Sequence, residues 1–468
     1  MKKLTCLITL LMLLAMSAAM TVCAQGRLGR GAALADFNSL MQDNNVLHRS
    51  MIRSSEIHGD DARALARQSY SLEQDFYDRI SDINARLGKD SMNVLMTRMR
   101  DEVLADTTDT EACMQYASIC HKMYRYDDAV KFYQIAVRAL EDEPIACAKA
   151  QVGLSSVMVS LNKHREAKVL ATEALSTIEE YADGDSTFFM LERCIAIKEL
   201  SRCLRAERDT AGFLQYSERC KAGLIYVVRQ DSIYIRELID FLGLYANYLY
   251  TLKMFDASDA NLDMALQLML PLYQQKPRRH QAMLGYLYVR KGANMYVRQR
   301  YKEALTQFLK ADEYYEQAYA DNPDAYERFL ANNLDNLGNS YKLDKQYELA
   351  LSYYNRGLVI CQNFANKTLD ASFFMYSLWN SVIDTEEKMD RWEDAFAHAQ
   401  EHQQEIKDLY DKYPKRFRNV YAVWLANMAE CYNHQGDTDQ ALRYINQAIE
   451  VQPTNTALTD YRDSLTRR

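Results

Sequence analysis

Glycine and proline are scarce in this chain, with 15 and 6 copies in 468 residues. Against abundant Ala, Leu, Tyr, Glu and Gln, so few breakers argue for helices joined by short turns. Other absences narrow the chemistry. No C-x-x-C occurs among the ten cysteines, so neither a dithiol redox motif nor a zinc knuckle is supported. There is no phosphate-cradling glycine loop, no H-E-x-x-H and no G-x-S-x-G, and the eight histidines are scattered. No basic stretch is dense enough to hold a phosphate backbone, so nucleic acid is not an expected partner. Beyond the N-terminus, no segment has the roughly 18 unbroken apolar residues that span a bilayer.

What is present begins with a leader. "MKKLTCLITLLMLLAMSAAMTVCAQG" places Lys2 and Lys3 before an apolar run that ends in Val22, Cys23 and Ala24. This is the layout of a secretory signal peptide cut before Gln25. An uncleaved anchor and lipidation at Cys23 are the alternatives, although "MTVC" lacks the Leu and small residues expected before a lipidated cysteine. The mature chain is expected to be exported, periplasmic or secreted, without a stable membrane span. Removing the leader leaves 54 basic against 64 acidic side chains. It also leaves eight cysteines, and export makes disulfides feasible. Cys203 and Cys220 fall on helices expected to face each other, which makes them the pair to test. Otherwise the cysteines are expected to be small buried apolar residues.

Self-similarity organises the rest. In "LDNLGNSYKLDKQYELALSYYNRGL", Leu334, Leu337, Gly338 and Tyr341 stand at i, i+3, i+4 and i+7, one face of a first helix. Ala350, Tyr354 and Gly357 form the matching face of a second. Gly338, Ala350 and Gly357 are expected where helix backbones cross closely, with Tyr347 and Tyr354 filling the space beside them. With Ala350 as anchor, the pattern returns at Ala129, Ala167, Ala304, Ala395 and Ala441. Weaker copies put Ser258, and a residue near Gly212, at the anchor. From Gly212 onward the anchors step by 46, 46, 46, 45 and 46 residues, after earlier steps of 38 and 45. Pro277, Pro323 and Pro414 each follow an anchor by 19 residues. They suit the first turn of a helix, with Asn322 as an N-cap before Pro323. Units without proline offer "GDST", "QDSI" and "LDAS" there. The reading is a leader over 1–24, an N-terminal linker and helical cap over 25–107, and a helical-repeat array over 108–468.

These residues resemble the tetratricopeptide repeat: an aromatic or Leu, then Leu-Gly, a Tyr, and a later Ala with an aromatic four residues on. The resemblance covers about three-quarters of the chain, with a period of about 45 residues instead of the usual 34. Each helix is therefore expected to be longer by about 5–6 residues. It implies an all-α fold, a right-handed α-α superhelix of about eight helical hairpins with an N-terminal helical cap.

The resemblance also implies that the first helix of each hairpin lines a concave side, at 8, 11, 14–15 and 18 residues before the anchor. Those positions hold Asp240, Asn247 and Tyr250; then Tyr286, Arg290 and Tyr296; then Asn332, Asp335, Asn336, Asn339 and Lys342. The last two units add Asn380 and Asp384, and Asn427, Glu430 and Asn433. Asparagine is a poor helix former, so a row of amides points to gripping an extended peptide backbone. Tyrosine adds broad contact with a polar tip. His398 and His402 have a metal-compatible i, i+4 spacing. Yet His402 lies seven residues after Ala395, where the repeat packs its helices together, so no metal or other cofactor is expected. Glu386 with Glu387, and Glu179 with Glu180, are read as solvated helix faces. The expectation is a non-catalytic scaffold or adaptor for a peptide or protein segment. Capture of a glycan or small ligand, and sensing within an envelope signalling system, are the alternatives.

Overall fold

Each hairpin turns on a single residue in the left-handed region, five positions before its anchor. Tyr124, Asn162, Arg208, Lys253, Gln299, Lys345, Asp390 and Gly436 all have φ between 60° and 81°. The computed structural model describes residues 70, 96–97, 99–181, 189–364 and 369–466. The leader, most of the N-terminal region and the "GDST" turn lie outside the described residues. Everything from 110 onward that is described is helix or short connection. The helices are α1 (Thr110–Lys122), α2 (Tyr126–Ala139), α3 (Pro144–Ser160), α4 (His164–Tyr181), α5 (Met190–Ala206) and α6 (Thr210–Gln230). After a short 3-10 turn come α7 (Ile235–Thr251), α8 (Phe255–Gln275), α9 (Pro277–Val297), α10 (Tyr301–Asp321), α11 (Pro323–Leu343) and α12 (Tyr347–Phe364). The remainder are α13 (Leu369–Lys388), α14 (Trp392–Glu401), α15 (Gln403–Lys412), α16 (Pro414–His434), α17 (Thr438–Val451) and α18 (Thr456–Thr466).

The turn residues correct the register of the third hairpin. Arg208 is five residues before Phe213, so the anchor is Phe213, which is buried, and not Gly212. Gly212 lies in the first turn of α6, where its N–H is capped by the Asp209 carboxylate at 2.9 Å. Prolines 277, 323 and 414 open α9, α11 and α16 as expected, and Pro144 opens α3 in the same way. Asn322 caps α11 by accepting from the Ala325 N–H at 3.3 Å.

Seven residues after each anchor, the second helix carries a small buried residue: Ala136, Ala174, Cys220, Ala265, Ala311, Gly357 or Ala448. The seventh hairpin has His402 there instead. Its ring lies 4.8 Å from the Trp379 ring. The second helix breaks at that residue into α14 and α15.

The glycines mark room for side chains more than for backbone. A Cβ on Gly338 would come within 2.3 Å of the fully buried Tyr354 ring, and one on Gly357 within 2.9 Å of Leu378 from the next hairpin. Tyr347 is only half-buried.

The described residues divide into two units between Leu242 and Gly243, within α7. In the first, α1, α3 and α5 pack directly on one another as neighbouring first helices. Met96, Met99 and Val103 bury against the first hairpin. Tyr70 reaches the end of this unit, its ring 4.7 Å from Tyr234 and its hydroxyl donating to Glu237 Oε1 at 3.3 Å. In the second, α9 packs on α11, α11 on α13 and α13 on α16, while α18 covers the last hairpin through Leu458 and Leu465.

The eight described cysteines are free thiols. Cys203 and Cys220 do not face each other. Counted from the turn at Arg208, Cys203 is 5 residues before and Cys220 is 12 after, an offset of roughly 10 Å at about 1.5 Å per residue. Cys194, 14 residues before the turn, is level with Cys220, whose thiol donates to the Cys194 carbonyl at 3.3 Å.

Candidate functional site

The first-helix face of the second unit is polar and largely cross-linked, because residues one period apart meet on adjacent helices. Arg290 on α9 donates to Asn247 Oδ1 at 3.0 Å, and Tyr286 donates to the Gly243 carbonyl at 3.3 Å. Tyr250 packs edge-on against Phe255, and Tyr296 against Tyr301. Lys342 on α11 reaches Asp384 on α13 at 2.6 Å, and Lys388 pairs with the same carboxylate. Burial alone would raise the Asp384 carboxyl, but Lys342 and Lys388 outweigh it and hold it below the usual range. Ser381 donates to Asp335 at 3.3 Å, and the Tyr354 hydroxyl to Asn339 Oδ1 at 3.0 Å.

Farther along, the amides serve the fold. Asn380 is buried and donates to the Val420 carbonyl at 2.9 Å, and buried Asn427 donates to Asn380 Oδ1 at 3.3 Å. Glu430 pairs with Glu387 across the same seam, where the Cys431 thiol donates to Glu387 at 3.4 Å. Glu386 and Glu387 are thus no solvated face: both are 7% exposed. Glu386 accepts from His398 Nδ1 at 3.0 Å. Burial, followed by the charge of Glu430, pushes the Glu387 carboxyl up to about 9. Glu179 and Glu180 are exposed as expected. His398 and His402 do not converge on a vacant point; both rings lie against Trp379, at 5.0 and 4.8 Å. Among the described residues, no group of three or more His, Cys, Asp or Glu is placed to hold a metal ion, and no helix is long and apolar enough to cross a membrane.

Three amides of the expected row remain unspent. Asn332 and Asn336 on α11, and Asn433 on α16, are half-buried, and their side chains make no hydrogen bond within the described residues. Asn332 and Asn336 are one helical turn apart on one stripe of α11. Asp240 lies in the first unit and is exposed. The expected row therefore separates into a pinned part (Asn247, Asn339, Asn380, Asn427) and an open part centred on α11. Sequence reasoning missed the pinning because a buried inter-helix amide and an exposed one occupy the same repeat positions.

Repeated antiparallel helix pairs, with a small residue at every crossing but that of the seventh hairpin, define an α-helical repeat fold. Residues 374–454 match the family described as tetratricopeptide repeat. No curated protein matches the sequence. Among solved structures, it is similar to a signal-transduction ATPase with a tetratricopeptide-repeat sensor from Pyrococcus horikoshii. That match has 13% identity and a TM-score of 0.51, covering 89% of this chain and 57% of the other. A tetratricopeptide-repeat protein from Parabacteroides merdae matches with 11% identity over 69% of this chain and 99% of its own, at a TM-score of 0.40. Aspartyl phosphate phosphatase F from Bacillus subtilis matches with 14% identity over 74% and 94%, at a TM-score of 0.41.

Proposed function

We propose that this protein is a non-catalytic exported scaffold that holds a peptide, or an extended segment of a partner protein, along the first-helix face of its second unit. The observation that carries this reading is the pair of unspent amides on α11. Asn332 and Asn336 each offer a donor and an acceptor at a spacing that follows the helix, and the same helix carries Lys342 of the Lys342–Asp384 pair. An amide without an internal partner gains most by meeting a peptide group, which carries both a donor and an acceptor. The leader supports export, and N-terminal sequencing of the mature protein from an envelope fraction should begin at Gln25.

The binding test is a tiled peptide array probed with the mature chain, with hits measured in solution. The Asn332→Ala/Asn336→Ala variant should bind its best peptide at least about tenfold more weakly, with unchanged helicity. Equal affinity for variant and parent would remove α11 from the account.

A further inference from the structure

The third hairpin has a cleft between its two helices. On α5, Met190, Arg193, Cys194 and Ile197 stand at i, i+3, i+4 and i+7. On α6, Arg219, Ala222, Gly223 and Tyr226 repeat that spacing, and the two stripes enclose a cleft of about 330 Å³. Such a volume is at the small end of ligand clefts, which span roughly 300–1,000 Å³.

The repeat register shows why the space exists. Counted from the anchor Phe213, Ile197 is at −16 and Gly223 at +10. The fifth hairpin, anchored at Ala304, has Tyr288 and Tyr314 at those positions. Their rings stack at 5.7 Å with 4° between planes. At +10 the second, fourth and sixth hairpins carry Thr177, Leu268 and Ile360. Only in the third is that side chain missing altogether. The floor is apolar, made of Ile197, Ala222 and Cys194, whose sulfur abuts Gly223 closely enough that a Cβ there would meet it at 2.5 Å.

The rim carries a charge that no described residue neutralises. Arg219 pairs with Glu179, whereas among the described residues Arg193 forms no ion pair and its Nε is buried without an acceptor. A buried donor left without a partner is unfavourable, and a carboxylate is the group that satisfies a guanidinium best.

We propose that this cleft binds a small free aromatic carboxylate, its ring in the space that Tyr314 takes in the fifth hairpin and its carboxylate on Arg193. The site is separate from the first-helix face of the second unit, so the inference does not rest on the peptide-binding reading.

Calorimetry and ligand-observed NMR on the mature full-length chain, with phenylacetate and 1-naphthaleneacetate, test it. Both methyl esters serve as controls. The acids should bind saturably and the esters should not, and Arg193→Gln should weaken acid binding about tenfold or more. The Cys194→Gly/Gly223→Tyr variant gives the third hairpin the residue types that the fifth carries at −19 and +10, Gly285 and Tyr314, and should abolish binding with helicity intact. Should that double variant not fold, the Arg193→Gln comparison decides alone. Equal binding of acid and ester, full affinity in Arg193→Gln, or no saturable binding of either acid at about 10 mM overturns the proposal.

Discussion

Glu387 shows how much one side chain couples this fold to pH. Its carboxyl is buried against Glu430, and with its titration raised to about 9 it keeps its proton in the folded state at neutral pH. In the unfolded chain it titrates in the usual range near pH 4.3. Between those values the folded state binds the extra proton, so this contribution is present at low pH and is lost as pH rises toward 9. Asp384, Lys388 and Cys431 face the same pair and set its balance. Glu387→Gln keeps the shape without the titration. It should raise Tm at pH 8.5 by about 2–4 °C and flatten the decline in Tm between pH 6 and 9; an unchanged slope would assign the pH dependence elsewhere. At Gly338 the constraint is space. A methyl group there must displace the Tyr354 ring, so Gly338→Ala should cost about 1–3 kcal/mol in a denaturant titration. Gly338→Ala/Tyr354→Leu should recover part of the loss.

Among the elements, the broken second helix of the seventh hairpin has a local cause. With His402 replaced by Ala, the crossing position matches the other hairpins and α14 should run into α15. Amide exchange should slow across residues 401–406, and Tm should hold or rise despite the lost contact with Trp379. The turns are a second element-scale feature. Seven of the eight turn residues in the left-handed region are not glycine, and each carries a Cβ penalty of roughly 1 kcal/mol. Lys345→Gly should therefore stabilise by up to about 1 kcal/mol in equilibrium unfolding, after the entropy of the more flexible unfolded chain is set against it. A destabilised variant would mean that Lys345 makes a contact worth more than the strain.

At the scale of the whole molecule, the array was legible because small residues at fixed offsets from each anchor repeat with a period longer than any single helix. The third hairpin was read one residue out of register, since Phe213 takes an anchor position that elsewhere holds Ala or Ser. That shift turns a helix by about 100°, enough to hide the cleft beside Gly223. The first-helix face was legible in its positions but not in its use, because hydrogen bonds between helices a period apart depend on how hairpins stack. The terminal helix α18 buries Leu458 and Leu465 over the last hairpin. Truncation after Gln452 should speed amide exchange in α16 and α17 and leave α9 and α10 nearly unchanged, as expected where stability is local.

The identical turn has a consequence for how such a chain can change length. Tyr301 and Tyr347 each follow a left-handed turn residue and open a second helix, 46 residues apart. Excising 301–346 joins Arg300 to Tyr347 through the same turn, so α9 meets α12 as it now meets α10. A 138-nucleotide in-frame deletion or duplication, three nucleotides for each of those 46 residues, is thus a single genetic event that keeps every remaining helix in register. Such an array lengthens or shortens by recombination between copies, without the intermediate sequences that point substitution would require.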